Sequence, residues 1–387
     1  MKILYVTTIS ATVNAFLIPH IKFLIQQGNQ VGLAFNTLQE VHPELIKQGC
    51  KVHQIEFQRN PIEMANMIAY KKIQKVVTEE EYELVHVHTP VASFLTRLAC
   101  RNMKYVKILY TAHGFHFYKG APKKNWAIYN TLERIAARWT DGLITMNDED
   151  YYSAKKLKLR KSNSIHKVHG VGLDLYKFSP QTDEKKNKLR KDYGYNMEDF
   201  ILIYVGELCY RKHQDLLLKA VEHLRSKTIN IKLLLVGEGN LENHYKDLVK
   251  SLGLEKNVEF LGYRRDIPNL MAMCDIAVST SRQEGLPVNV MEAMATGLPL
   301  VVTDCRGNSD LVYNGENGFV VGVDDAEACA NSIENLYNSK DLRKEFGEKS
   351  KMLIQNYSLD NVMEEMKDIY SKYGGIISEN IINEVIS

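Results

Sequence analysis

The 387-residue chain predicts an α/β protein of two doubly wound parallel sheets with a cleft between them. Three observations carry that expectation. Short β-branched runs alternate with helical-period segments, the strand–helix–strand rhythm of a parallel sheet. The runs are continuously apolar, as strands covered on both faces must be. The rhythm lapses once and restarts, and the length suits two domains better than a single core.

In the first half the strands are "KILYVTT", "QVGLAF", "KVHQIEF", "LVHVH", "VKILYTA", "GLITM" and "SIHKV". Helical segments such as "ATVNAFLIPHIKFLIQQG" and "PVASFLTRLACRNM" separate them. Over residues 174–199 a charged stretch with proline and glycine reads as an interdomain linker plus one surface helix. "FILIYVG", "IKLLLVG", "NVEFLG", "DIAVS", "PLVVTD" and "GFVV" then restart the pattern. A last helix opens at Ser358, a good N-cap. The expected domains are 1–175 and 176–357, followed by a terminal segment 358–387. Open α/β sheets take ligands at the carboxyl ends of their strands, and those ends are expected to face the cleft.

The formal net charge is only +2 but is unevenly shared. Residues 1–175 hold 23 Lys and Arg against 14 Asp and Glu; the remainder holds 26 against 33. A basic half is expected to face something anionic, unless the asymmetry is chance surface composition. Six cysteines without a C-x-x-C pair argue for reduced thiols in a cytoplasmic protein and against zinc. No run approaches the ~18 apolar residues of a membrane span.

The stretch "EGLPVNVMEAMATG" carries Glu284 and Glu292. Pro287 fits the first helical position and Gly297 the residue just past the end, which puts Glu284 in a loop and Glu292 on the helix. Eight helical residues climb about 12 Å, whereas glycosidase carboxylates lie roughly 5–9.5 Å apart. The pair therefore fits two contacts to one extended ligand rather than hydrolysis. The amides of Gly285 and Leu286, at the helix start with Pro287 and Val288, form an anion site suited to a diphosphate. A sugar nucleotide satisfies all three features. Spacing alone also allows a surface-loop Glu284 and an ordinary exposed Glu292.

E-G-L-P-V-N-V-M-E-A-M-A-x-G resembles the E-x7-E signature of the family 4 retaining glycosyltransferases, which have the GT-B fold. "YVGELCYRKHQDLLLKAV" resembles the family's V-G-R-L-x-x-x-K-G segment, and "HVHTP", "YTAHGFHFY" and "VGLDLYKF" match landmarks of the first half. The resemblance covers nearly the whole chain. It implies two Rossmann-like domains, donor binding chiefly by the second, and a final helix crossing back to the first.

By that resemblance Glu284 touches donor-sugar hydroxyls, Glu292 accepts from the ribose, and Lys212 holds the diphosphate. Glu207 departs from the family, which usually has arginine there; Arg211 is the expected substitute, although it also fits a solvated charge at a helix start. His113 matches the histidine that reaches the donor sugar across the cleft; His116, further along the same loop, fits a structural or an acceptor role, and His86 and His88, alternating on a strand, read as structural. Glu284→Ala and Lys212→Ala are expected to lose turnover while folding normally. "VGEGN" at Gly237 lacks the third glycine of a dinucleotide fingerprint. Asp148 and Asp150 spell D-x-D, but Asn147 makes that stretch a capped helix start, so transfer without metal or other cofactor is expected.

The first loop lacks the family's usual glycines, and Asn14 is a candidate acceptor contact. Residues 115–139 mix Lys119, Lys123, Lys124, Arg134 and Arg138 with Phe115, Phe117, Tyr118, Trp126 and Trp139. That mixture suits an anionic bilayer surface and a diphosphate-linked lipid, or else an ordinary helix with core aromatics. His116, Lys119, Lys123, Lys124 and Trp126 are the acceptor or membrane candidates. The resulting expectation is a retaining transferase moving a hexose or N-acetylhexosamine from a UDP-sugar to a lipid-linked saccharide. It would sit peripherally on the inner face of the membrane and have no nucleic-acid partner. A non-hydrolysing UDP-N-acetylglucosamine epimerase and a non-catalytic sugar-nucleotide binder are the alternatives.

Overall fold

A computed structural model describes residues 1–58, 60, 63–178, 180–225 and 230–376. The chain divides into two compact units, Met1–Gly172 with Asp360–Ser387, and Leu173–Leu359. The crossing points lie two or three residues from 175 and 357. Backbone pairing fixes them: Leu173 N–H donates to Tyr357 O and Leu359 N–H to Leu173 O, both at 2.9 Å.

In the first unit β1 (Lys2–Ile9), β2 (Gln30–Asn36), β3 (Lys51–Gln54), β4 (Leu84–His88), β5 (Lys107–Ala112), β6 (Gly142–Thr145) and β7 (Ile165–Lys167) form one sheet. Its order is β3-β2-β1-β4-β5-β6-β7, with every pairing parallel. In the second, β8 (Phe200–Val205), β9 (Ile231–Val236), β10 (Val258–Gly262), β11 (Ile276–Ser279), β12 (Leu300–Thr303) and β13 (Gly318–Val321) form a parallel sheet ordered β10-β9-β8-β11-β12-β13. Both are doubly wound α/β sheets.

The continuous apolar runs are explained by β8. Phe200, Leu202 and Tyr204 enter one core layer, Ile201 and Ile203 the other. Successive strand residues point to opposite faces, so helices on both faces require an apolar residue at each position.

The stretch 174–199 is more than a linker. Thr182 caps the helix Asp183–Tyr193, and Gly194 ends it in the left-handed region at φ 80°. Its Arg190 is buried. The guanidinium donates to Met273 O at 3.0 Å, to Met197 O and Asp199 O at 2.9 Å, and to Asp275 Oδ2 at 2.7 Å. A strongly charged helix reads as surface in sequence; here Arg190, with Lys186 on Asp275 Oδ1 at 2.6 Å and Leu189 and Tyr193 packed on the core, docks it to the second unit.

Candidate active site

In the second sheet the strand order reverses between β8 and β11. That switch point is where open α/β sheets take ligands, and the loops flanking it carry the expected residues. After β8 the chain passes Gly206 and Glu207 into a turn closed by Lys212 N–H to Cys209 O at 3.0 Å, before the helix Gln214–Arg225. Arg211 and Lys212 thus lie on a turn and not on a helix, and both reach one carboxylate. Lys212 Nζ donates to Glu284 Oε1 at 2.6 Å, and Arg211 Nη1 to Glu284 Oε2 at 3.2 Å. Ser281 Oγ donates to Oε1 at 2.6 Å.

Lys212 is 8% exposed and Glu284 7%. Burial pushes the Glu284 carboxyl up, but the Lys212 and Arg211 charges, with hydrogen bonds from Lys212 and Ser281, outweigh it and hold it below the usual carboxylate range. Tyr204 braces the arrangement: its hydroxyl donates to Lys212 O at 2.6 Å and meets Ser281 Oγ at 2.9 Å. Removing either member would leave a buried charge stripped of a partner, so a loss of stability is expected beside the loss of turnover.

Pro287 is the N-cap, one residue outside the position expected, and the helix runs Val288–Thr296 to a left-handed Gly297 at φ 80°. No side chain caps this helix. Gly285 and Leu286 belong to the loop before it. Asn289 Nδ2 donates to Val205 O at 2.8 Å and ties the helix start to the end of β8. Glu292 is half-buried with no hydrogen-bond partner for its carboxyl among the described residues. Burial raises it to about 7, against the opposing charge of Lys177.

Sequence reasoning missed Ser281, Tyr204 and Arg306. Arg306, buried in the loop after β12, donates through Nε to Glu284 O at 2.9 Å. Its one signal was an arginine three residues past a strand's carboxyl end. The glycines of "VGEGN" serve close packing. A Cβ on Gly237 would lie 2.2 Å from Gly206 O, and one on Gly239 2.2 Å from Leu208 O. They let β9's loop press against the segment that leads to Lys212.

In the first unit His113 follows β5, and its Nε2 lies 3.0 Å from His88 Nδ1. His86 and His88 are two apart on β4 and therefore share one face; they do not alternate between faces. Their rings lie 4.3 Å apart. His86 Nδ1 meets Tyr370 Oη at 2.6 Å and its Nε2 meets Thr111 Oγ1 at 2.7 Å, and Tyr370 is also hydrogen-bonded to Tyr5. Burial pushes His113 down to about 4, with nearby His20 adding to the shift. His116 packs on Tyr129, ring centroids 4.7 Å apart.

The D-x-D is structural. Asn147 Oδ1 accepts from Asp150 N–H at 2.8 Å, and Asp150 Oδ2 accepts from Phe115 N–H at 3.1 Å, anchoring the loop that carries His113. Asp148 pairs with Lys167 at 2.6 Å. Among the described residues no group of three or more His, Cys, Asp or Glu is placed to hold a metal ion. Asn14 is engaged at both ends of its amide, donating to Glu40 O at 2.8 Å and accepting from His42 N–H at 3.2 Å.

Within 115–139, Phe115 and Phe117 are core residues stacked at 4.7 Å, which removes them from any interfacial role. Trp126, Ile128 and Ile135 are exposed beside exposed Lys119, Lys123, Lys124, Arg134 and Arg138. The only acid between 119 and 139, Glu133, is buried against Arg97 at 2.9 Å. No helix among the described residues is long and apolar enough to cross a membrane.

Two parallel α/β units with a cation-bound carboxylate at one switch point define a GT-B architecture, and comparison with known proteins agrees. The Glycosyl transferases group 1 family matches residues 185–352, and the Glycosyl transferase 4-like family residues 2–147. EpsD of Bacillus subtilis (strain 168), a glycosyltransferase by name, is 38% identical over 96% of this chain and 97% of its own. The UDP-Gal:alpha-D-GlcNAc-diphosphoundecaprenol alpha-1,3-galactosyltransferase of Escherichia coli is 28% identical over 81% of each chain. Among solved structures, Anabaena Alr3699/HepE in complex with UDP-glucose superposes with a TM-score of 0.76 at 21% identity, over 96% of this chain and 100% of that one. The chain belongs to the family 4 glycosyltransferases of the GT-B fold.

Proposed function

We propose that this glycosyltransferase moves a sugar from a UDP-sugar, with retention, to a saccharide carried on a lipid diphosphate. The observation that carries the reading is the Glu284–Lys212–Arg211 cluster at the β8/β11 switch point, ahead of a helix start without a side-chain cap. A diphosphate competes with the Glu284 carboxylate for the same two cations. As it takes them, the carboxylate is released to accept hydrogen bonds from sugar hydroxyls, so donor binding exchanges one ion pairing for another. Lys212 and Arg211 then stabilise the charge that develops on the leaving diphosphate. Glu292 accepts from the ribose, and His113 contacts the donor sugar, as the family resemblance implies.

As the glycosidic C–O bond breaks, the leaving diphosphate oxygen takes the proton of the attacking acceptor hydroxyl on the same face. The acceptor oxygen forms its bond to the anomeric carbon there, which retains configuration. In this reading no metal takes part, the two basic side chains supplying the positive charge. The acceptor class is supported by the printed name of the Escherichia coli relative and by the exposed Trp126–Ile128–Ile135 face with its five cations. That face would rest on an anionic membrane from the cytoplasmic side.

The test is UDP release from a panel of UDP-hexoses and UDP-N-acetylhexosamines, with and without a polyprenyl-diphosphate-linked saccharide. Release that needs the acceptor, insensitivity to chelator and an α-linked product by NMR are expected. UDP release or epimerised donor without acceptor would sink the reading.

A further inference from the structure

Around His113 lies a buried polar cluster that the transfer chemistry above leaves unused. His88 is 2% exposed, its Nδ1 is 3.0 Å from His113 Nε2, and its own Nε2 is buried with no hydrogen-bond partner among the described residues. Its ring is flanked by Tyr5 at 5.2 Å and by His86 at 4.3 Å. Burial keeps both rings neutral, so one proton is shared between the two facing nitrogens and one ring must donate.

The two arrangements are unequal. If His113 Nε2–H donates, His88 must carry its proton on Nε2, and a buried N–H is left without an acceptor. If His88 Nδ1–H donates, Nε2 of His88 is a bare lone pair. Orphaned buried N–H groups are the rarer and costlier defect. We propose that His88 is a positioning residue that fixes His113 in the Nδ1–H tautomer, so that His113 meets its ligand as a hydrogen-bond donor toward a hydroxyl oxygen. The hydrogen bond made by one ring nitrogen sets the proton on the other. His113 Nδ1 makes no hydrogen bond to a described residue, which keeps that N–H for the sugar. The chain Tyr5–Tyr370–His86–Thr111 beside it holds the neighbouring imidazole by both nitrogens.

The ligand half of this proposal rests on the function proposed above, and the tautomer half does not. The full chain labelled with 15N-histidine is read by two-bond 1H–15N correlation, the His113 signals being assigned by their loss in His113→Asn. A protonated Nδ1 on His113 is expected; a protonated Nε2 overturns the proposal whatever the activity. His88→Leu should move His113 toward its intrinsic Nε2–H preference and lower kcat/KM for the UDP-sugar roughly 10-fold, the loss of about one hydrogen bond. Affinity for UDP, which has no sugar, should stay unchanged. His88→Leu added to His113→Ala should cost nothing further; an additive loss would overturn the positioning role. Full activity in His113→Ala, together with an Nδ1–H tautomer of His113 in the unsubstituted chain, would instead refute the sugar contact alone.

Discussion

Lys212→Ala separates the structural work of the Glu284 cluster from its chemistry. The substitution leaves a carboxylate that is 7% exposed with Arg211 at 3.2 Å and Ser281 at 2.6 Å. Breaking a buried ion pair by removing one partner costs ~3–5 kcal/mol. Because a second cation and a hydroxyl remain on the carboxylate, the low end applies, about 3 kcal/mol. For a unit the size of Leu173–Leu359, each kcal/mol moves Tm by ~2–4 °C, which gives a fall of roughly 6–12 °C. Turnover should fall about 10²–10³-fold, the effect of losing one donor that stabilises transition-state charge. Scanning calorimetry reads the first and UDP release the second. The neutral pair Lys212→Met with Glu284→Gln should recover most of the stability and none of the turnover. Unchanged melting of Lys212→Ala, or a double variant melting as low as the single one, would refute the buried-pair reasoning.

Glu292, raised to about 7 in the folded chain, binds protons that the unfolded chain has already lost above its ordinary value near 4.5. Its contribution to stability therefore falls as pH rises from 4.5 through 7. Glu292→Gln should melt higher than wild type at pH 8 and show no gain at pH 4. In fluorescence titrations UDP affinity should rise more steeply between pH 6 and 8 in wild type, as the carboxylate forms, than in Glu292→Gln, the ionisation of UDP's terminal phosphate being shared by both. Gly237→Ala places a methyl 2.2 Å from Gly206 O and should cost about 1–3 kcal/mol in denaturant melts, with weaker UDP binding as the Lys212 segment is displaced. Lys123→Glu with Lys124→Glu should abolish co-sedimentation with anionic vesicles at low salt while leaving UDP binding intact; vesicle binding equal to wild type would remove the membrane contact.

The order and type of the elements were readable because each is a local pattern: apolar runs, a capping Asn147, a glycine at 297 that ends its helix at φ 80°. The loop placement of Glu284 and the helical placement of Glu292 followed from the same signals. What could not be read depends on residues distant in sequence. Lys212 and Glu284 are 72 residues apart, and no spacing rule pairs them. Arg190 looks solvated on its helix until Asp275 is brought against it. Phe115 and Phe117 look interfacial beside lysines, but aromatic residues near charge are equally core residues on a half-buried loop. The shared face of His86 and His88 was legible from a period of two.

The hydroxyl pairing of Tyr5 with Tyr370 joins residues 365 positions apart within one compact unit. A ribosome adding 5–20 residues per second needs on the order of 20–70 s between those two tyrosines. Through that interval the first-made sheet lacks the helix that closes it, while Leu173–Leu359 emerges as one uninterrupted segment. The second unit, although made later, is the one able to finish folding first. A nascent chain stalled before residue 370 would expose an unsealed first sheet to chaperones and proteases.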